Sequence, residues 1–311
     1  MPFFSVVIPL YNKAAYIEDT LKSVVNQTFK DFEVIIVNDG STDNSLEIAR
    51  SFNDERIRII DQENRGASIT RNKGIEKSQS SYIALLDADD IWYENHLEEL
   101  KKLIEKFPNA GLFCTNYEID YSGKFVKPAS FNFEYESKCK IIEDFFDANI
   151  INFIPSSSST AFKKSFFQNV GAYDINLTTA QDLDLWIKMA LKHKVAFNPK
   201  ITMMYKFYAV NSLSKNEFNE IRYDFINKYR IEEESNASLK KYLDINRYAL
   251  AIRSLLNGDR FLYEKVKNEI SQDNLNCKQK LLLQLPKFAV KFLKSFQKYL
   301  IKRKIYVTAY K

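Results

Sequence analysis

The sequence predicts an α/β domain, a mainly parallel sheet with helices on both faces, followed by a helical C-terminal region. Three observations carry that expectation. Short apolar runs alternate with stretches of helical period over the first part of the chain. Those runs are apolar at successive positions, as in strands covered on both faces. From about residue 215 the period is helical to the end.

SVVIPL (5–10) is a short apolar run ended by Tyr11-Asn12, and is the first strand. YIEDTLKSVVNQ (16–27) places Ile17, Leu21, Val24 and Val25 on one helical face. FEVIIVNDG (32–40) is a β-branched strand stopped by Asp39-Gly40. Ser41-Thr42-Asp43 then offers an N-cap and a first-turn acid to a helix through LEIARSF. RIRII (56–60) is a strand, residues 66–78 a helix, and YIALLD (82–87) an apolar strand. HLEELKKLIEKF (96–107) is an amphipathic helix closed by Pro108, and GLFCTNYEI (111–119) is a further strand. Beyond it the pattern thins. IPSSSSTAFKKSFF reads as strand then helix, LDLWIKMALKH (183–193) as a helix, and VAFNPKITMMYKFY as one or two strands.

The chain has 311 residues, 45% hydrophobic and 27% charged, with only 7 Gly and 7 Pro. That composition excludes long disordered or repeat segments. Cys114, Cys139 and Cys277 are odd in number and scattered, which argues for a reducing compartment and against a disulfide framework. With two histidines and no metal-ligand spacing, a zinc site is not expected. MPFFSVVIPLYNK has no basic stretch before its apolar run, and no run of 18 apolar residues occurs. A cytoplasmic protein is therefore expected. Charge divides unevenly: residues 215–311 hold 21 Lys and Arg against 11 acids, and residues 1–214 hold 24 against 29. Two units with different partners follow, 1–214 and 215–311.

In open parallel sheets ligands bind at the carboxyl ends of the strands. Tyr11, Asp39 and Asp87 each break a strand there and converge on one crevice. LLDADD (85–90) leads two leucines into three carboxylates, Asp87, Asp89 and Asp90. Alternate residues leaving a strand point the same way, so Asp87 and Asp89, either side of Ala88, can share a ligand. Hard oxygen donors so close call for Mg2+ or Mn2+, which completes its shell with water and substrate phosphates. A solvated acidic turn is the plain alternative; the position at the end of a buried strand favours the metal. Tyr11 beside Asp39 can hold a nucleobase, the ring stacking and the carboxylate accepting from a ring N–H; a structural Tyr and a turn Asp explain the pair equally well. In ENRGASITRNKG (63–74), Asn64 and Arg71 flank a helix start suited to an anion, though a capped surface helix with a solvated Arg71 explains the stretch better by itself.

Taken together, SVVIPLYN, VIIVNDGSTD, NRGASITRNKG, LLDADD and QDLDLW occur in an order and spacing that resembles the inverting nucleotide-sugar glycosyltransferases of family two, over about residues 3–210. The resemblance implies a GT-A fold, a Rossmann-like sheet, in a bacterial enzyme. It implies a nucleotide-sugar donor, usually a UDP-sugar, and a divalent metal, Mn2+ or Mg2+. By the same resemblance Pro9, Tyr11, Asp39, Asn64 and Arg71 hold the nucleoside. Asp87 and Ala88 reach the ribose or sugar side, and Asp89 ligates the metal. Asp90 has no assigned role beyond capping the helix that follows. The catalytic base is implied in TTAQDLDLWIKMA (178–190), where the family carries Glu-Asp; here Gln181 replaces the glutamate and Asp182 stands at the aspartate. Asp182 is assigned as base. A neutral Gln181 lowers its pKa relative to an acidic neighbour. Asp184 is the rival base, but on a helix it points elsewhere. Trp186, four residues after Asp182, shares its face and is either an acceptor platform beside Gln181 or a core residue. His96 and His193 sit at helix ends as surface or capping residues, and Ser156–Ser159 are small residues for the acceptor side.

In the tail, Lys287, Lys291, Lys294 and Lys298 recur at helical spacing beside Phe288, Phe292, Phe296 and Leu300. Such a helix suits an anionic membrane surface; the alternative is packing on the domain or on a second copy as a homo-oligomer. No recognised motif points to nucleic acid. The acceptor implied is a surface polysaccharide or a lipid-linked oligosaccharide. The competing functions are a non-catalytic nucleotide-sugar-binding protein and a nucleotidyltransferase, the latter disfavoured because YNKAAYIED lacks a Gly-rich loop.

Overall fold

A computed structural model describes residues 1–207 and 218–310. In chain order its strands and helices begin β1 (Phe4–Leu10), α1 (Ile17–Val25), β2 (Phe32–Asp39), α2 (Ser45–Arg50), β3 (Ile57–Gln62), α3 (Ala67–Lys77), β4 (Tyr82–Leu85), β5 (Ile91–Trp92), α4 (His96–Lys106) and β6 (Leu112–Asp120). They continue β7 (Val126–Pro128), β8 (Lys140–Ile142), α5 (Phe145–Ala148), β9 (Thr160–Lys163), α6 (Lys164–Val170), α7 (Gln181–Lys192) and β10 (Val195–Lys206). The helical region holds α8 (Asn219–Asn227), α9 (Arg230–Ser235), α10 (Ala237–Asn257), α11 (Arg260–Asn268), α12 (Cys277–Leu282) and α13 (Lys287–Lys302).

The sheet runs β3-β2-β1-β4-β9-β6-β10-β5, parallel from β3 to β4 and again between β6 and β10. β9 is antiparallel to both its neighbours, β4 and β6. Burial explains the apolar strands: Val6, Val7, Ile8, Ile35, Ile36, Ile83 and Ala84 are all fully enclosed. β1 lies between β2 and β4, so the residues leaving those three strands meet along one edge. β10 is a single strand with register shifts around Ile201, next to Pro199, which has no N–H to give a ladder. The expected cap at 41–43 takes another form. Asn44 precedes α2 without a side-chain bond, and Asp43 instead accepts from Ser45 N and Ala14 N at 3.0 and 3.1 Å.

α3 packs on β1 and β2, and Gly74 allows its close approach. A Cβ there would lie 2.5 Å from Val7 Cγ1 and 3.3 Å from Val37 Cγ2, both on strand side chains with no room to retreat. Gly74→Ala is expected to destabilise the protein by about 1–3 kcal/mol through overpacking, measured by urea denaturation. An unchanged midpoint would mean that α3, which carries Arg71, is loosely seated.

The helical region is fastened to α7. Asp184, fully buried, accepts from Lys228 Nζ at 2.8 Å and from the Tyr229 hydroxyl at 2.6 Å, and pairs with Lys188 at 2.8 Å. α10 is the centre of that region. Its buried Arg247 pairs with Glu233 and Asp244, each at 2.8 Å. The expected division between 214 and 215, and the end of the resembling segment near 210, lie outside the described residues.

Candidate functional site

The crevice at the carboxyl ends of β1, β2 and β4 is built by loops that tie to one another. Asn12 adopts φ 51°, and its side chain accepts from Thr42 N at 2.8 Å. Lys13 N donates to Ser45 Oγ at 2.7 Å. Asp39 is buried and organises the loop after β3: it accepts from Gln62 Nε2 at 2.7 Å and from the backbone N–H groups of Arg65 and Gly66, each at 2.9 Å. Gly40 lets that loop close, since a Cβ there would meet Asn64 N at 2.8 Å. Tyr11 stands at the rim, 46% exposed, Asn64 is exposed beside Gly40, and Pro9 lies in β1 opposite Val37 of β2. Asp39 and Asn64 are brought together by the loop after β3, while Tyr11 is exposed at the end of β1 and Pro9 lies within that strand.

The acids of LLDADD separate into three environments. Asp87 Oδ1 accepts from Arg71 Nη2 at 2.6 Å, and its backbone N–H donates to Ser158 Oγ at 3.0 Å. Asp89 Oδ2 meets Lys13 Nζ at 2.6 Å, both side chains 15% exposed. Ala88 is buried, and its carbonyl accepts from Thr20 Oγ1 at 3.1 Å. Asp90 does not cap a helix. It is buried, accepting from Ser158 Oγ at 2.6 Å and Lys206 N at 3.1 Å, while Asn95 precedes α4. Burial, with Asp89 and Asp87 nearby, pushes its carboxyl well above the usual range. Asp90 therefore clamps β4, the Ser157–Ser159 turn and β10 together beneath the site.

α7 presents the remaining acid. Ala180, at φ 61°, turns the chain into the helix, and Asp182 Oδ1 lies 3.8 Å from Arg71 Nη1. Arg71 is thus enclosed between Asp87 and Asp182, over the Tyr173 ring at 5.6 Å. α3 and the segment before α7 are latched by Asn72, which bonds Tyr173 O at 2.9 Å and Tyr173 N at 3.1 Å. Burial raises the Asp182 carboxyl; Arg71 opposes this, Asp87 adds to it, and the Ser157 and Tyr173 hydroxyls oppose it. Its side chain as a whole stays 31% exposed, while Oδ1 is shut off from solvent. Gln181 is buried in the first turn of α7. Trp186 is not a platform: it is 2% exposed and sets its ring edge-on to Phe162, a core position on the inner face of α7. Asp184 points away into the Lys188–Lys228–Tyr229 cluster.

Four enclosed polar atoms face one another here without a hydrogen bond of ordinary length: Arg71 Nε, Arg71 Nη1, the Tyr173 hydroxyl and Asp182 Oδ1, with Arg71 Nη1 and Asp182 Oδ1 in a loose ion pair. Native interiors satisfy nearly all such atoms, so a cluster at one spot marks a place built for a polar ligand. Two donors from a cation suit an anion, and a carboxylate oxygen suits a hydroxyl. Among the described residues no group of three or more His, Cys, Asp or Glu could enclose a metal by itself. Asp89, a hard oxygen donor paired with Lys13, would suit a divalent ion that takes its other ligands from a diphosphate.

Lys13 and Tyr173 were not singled out in the sequence. Lys13 follows Tyr11-Asn12 directly, and the carboxylate crowding at 87–90 was the available signal for a cation nearby. Of the two histidines, His193 caps the end of α7 as expected, while His96 differs from expectation. His96 is buried, bonded to Thr202 Oγ1 at 2.6 Å and stacked on Trp92 at 4.2 Å, and burial lowers its pKa to about 3. His193 stacks on Phe166 at 4.1 Å.

A family model described as glycosyl transferase family 2 matches residues 5–171. An uncharacterized glycosyltransferase, RC0461 of Rickettsia conorii, is 29% identical over 257 residues, 79% of this chain and 41% of that protein. The chain spans about two fifths of the length of the first such curated relatives. Among solved structures, S. aureus TarS 1-349 in complex with UDP-GlcNAc superposes with a TM-score of 0.64 at 16% identity, covering 98% of this chain and 93% of that one. A mannosyltransferase from Pyrobaculum calidifontis, in complex with GDP-Man and Mn2+, superposes with a TM-score of 0.54 at 17% identity, covering 97% and 83%.

Proposed function

The chain belongs to glycosyl transferase family 2, and from that membership we propose that it is a metal-dependent inverting glycosyltransferase. Its donor is a nucleotide-sugar, a UDP-sugar in this reading, and its acceptor a hydroxyl of a surface polysaccharide or lipid-linked oligosaccharide. The observation that carries the reading is the cluster of enclosed, loosely bonded polar atoms of Arg71, Tyr173 and Asp182, at the strand ends where the family motifs converge. A neighbouring fold that binds UDP-GlcNAc, and another that binds GDP-Man with Mn2+, support the donor class and the metal.

Tyr11 stacks on the base, and the loop that Asp39 shapes borders the nucleoside. Asp87 and Ala88 line the ribose and sugar side. Asp89 and the donor diphosphate would hold Mn2+ or Mg2+, which offsets the charge that grows on the leaving group. Arg71 stays cationic, its pKa raised by Asp182 and Asp87 against the desolvating effect of burial, and its Nε and Nη1, which lack a close hydrogen bond, would face that same charge. Asp182 takes the proton of the acceptor hydroxyl. The acceptor oxygen forms its bond to the anomeric carbon as the bond to the diphosphate breaks, and the diphosphate leaves with the electron pair. Attack from the face opposite the leaving group inverts the anomeric configuration. Residues 1–214 form the transfer unit in this reading. Residues 215–311 brace α7 through Asp184 and present α13 to an anionic membrane, as a cytoplasmic, peripheral enzyme. No helix among the described residues is long and apolar enough to cross a membrane.

Incubation with UDP-sugars and glycan acceptors tests this. UDP release should require Mn2+ or Mg2+, stop on addition of EDTA, and accompany a product whose anomeric proton coupling is opposite to the donor's. Release of inorganic diphosphate would identify a nucleotidyltransferase. Donor binding without UDP release from any acceptor would identify a non-catalytic binder.

A further inference from the structure

Between α6 and α7 the chain makes a short bridge whose two ends, Ala172 at φ 59° and Ala180 at φ 61°, are both left-handed. Residues other than glycine adopt that backbone rarely, and keep it only where their surroundings hold them there. Here the hold comes from three directions. Lys188 of α7 donates to Ala172 O at 2.5 Å. Asn72 of α3 bonds both the N–H and the carbonyl of Tyr173, and Ser68 of α3 donates to Leu177 O at 3.2 Å. Lys228, after α8, pairs with Asp174 at 2.8 Å. These bonds fix one ring. Tyr173 is buried, with the Arg71 guanidinium over its face at 5.6 Å and Phe167 beside it at 5.9 Å. Its hydroxyl is enclosed without a hydrogen bond of ordinary length, in the company of Arg71 Nε, Arg71 Nη1 and Asp182 Oδ1. An enclosed hydroxyl costs free energy that phenylalanine in its place would not, so packing does not account for it. The arginine can only donate, which leaves Asp182 Oδ1 as the one atom of the four able to accept from the hydroxyl. Burial, and after it the Asp182 carboxylate, hold the phenol well above its ordinary range, so the proton is present to be shared.

We propose that Tyr173 is a positioning residue for Asp182: during transfer its hydroxyl donates to Oδ1 and, with Arg71, fixes that oxygen, leaving the other carboxylate oxygen to meet the acceptor hydroxyl. This deepens the proposed function and rests on its reading of Asp182 as the base. The Asp182 side chain is 31% exposed although Oδ1 is shut off from solvent, as such a division of the two oxygens requires. The titratable and charged groups that act on Asp182 are Arg71 of α3, Asp87 after β4, Tyr173 itself and Tyr205 of β10. Of these, Tyr173 and Arg71 favour its charged form, and Asp87 opposes it.

The test compares the full chain with Tyr173→Phe, which keeps the ring and its contact with Arg71, and with Tyr173→Leu, which removes the ring as well. The Asp182 carboxyl is titrated by carboxyl-carbon NMR, its signal identified by its loss in Asp182→Asn, and kcat and KM are followed against pH. In Tyr173→Phe the Asp182 carboxyl should titrate at higher pH than in the wild type, because a donor to its charged form is gone. The acid limb of kcat/KM should move the same way, and kcat on the plateau should fall about 10–100-fold with the donor KM nearly unchanged. The unfolding midpoint should stay near that of the wild type in Tyr173→Phe and fall in Tyr173→Leu, which separates the hydroxyl from the packing of the ring. An Asp182 carboxyl that titrates at the same pH in Tyr173→Phe as in the wild type would overturn the inference. So would full kcat in Tyr173→Phe with loss confined to Tyr173→Leu, and in either case sugar transfer by the wild type leaves the base reading standing. If the Asp182 titration shifts as expected but the wild type transfers no sugar, the transferase reading falls and the Tyr173–Asp182 bond stands.

Discussion

Asp182→Asn is expected to lower the transfer rate by on the order of 10²–10⁴-fold while UDP binding and the unfolding midpoint change little. The substitution keeps the shape of the side chain, removes its capacity to take a proton and withdraws the looser of the two charges facing Arg71, whose 2.6 Å bond to Asp87 remains. Asp182 sits at the start of α7 with Oδ1 enclosed and Arg71 Nη1 3.8 Å away, whereas Asp87 is bonded to Arg71 at 2.6 Å. The nearest rival in sequence, Asp184, is fully buried on Lys228 and Tyr229. Burial raises the Asp182 pKa, so the acid limb of kcat/KM should lie above that of an ordinary aspartate, with activity lost as pH falls through it. Gln181→Glu would add a like charge beside it, raise that pKa further and move the same limb to higher pH. A pH–rate profile of the wild type and Gln181→Glu measures both. Full activity in Asp182→Asn would remove it as base.

Arg71→Met is expected to cost about 3 kcal/mol of stability and to reduce transfer by about 10²–10³-fold. Arg71 is enclosed between two carboxylates, 2.6 Å from Asp87 and 3.8 Å from Asp182. Removing it leaves both acids facing each other without their cation. The lower end of the usual range for breaking a buried pair applies because the Asp87 and Asp182 side chains are 30% and 31% exposed. The same loss withdraws Nε and Nη1 from the leaving diphosphate. Denaturation and UDP titration separate the effects: stability and rate should both fall. A variant that is stable but inactive would confine Arg71 to catalysis, and one that is unstable but active would confine it to the fold.

The strands were legible because they are buried on both sides, which leaves runs such as VVI and VIIV without polar interruption. Their ends were legible for the same reason: Tyr11, the pair Asn38-Asp39 and Asp87 stand out as the first polar groups after each run. β7, β8 and α5 were not, since elements of three or four residues carry no period to read. The misread residues owe their roles to partners far away in the chain. Asp90 looked like a local cap but is held by Ser158 and Lys206; His96 stands at the expected helix end but is turned inward, under Thr202 and Trp92. Trp186 shares a helical face with Asp182 in sequence, yet the inward side of that face is taken by Phe162. Lys13 became visible only when the loop after β1 was seen to fold over the acids that follow β4.

The central claim, a metal-assisted nucleotide-sugar site at the ends of β1, β2 and β4, is tested most directly by titrating UDP into the protein with and without Mn2+, and repeating it with Asp89→Ala. The account predicts binding that needs Mn2+ and is lost in Asp89→Ala, as the carboxylate that holds Lys13 in the free protein turns to the metal. Binding that ignores both Mn2+ and the substitution would contradict the role given to Asp89, and failure to bind UDP, GDP, CMP or dTDP under any condition would contradict the donor site itself.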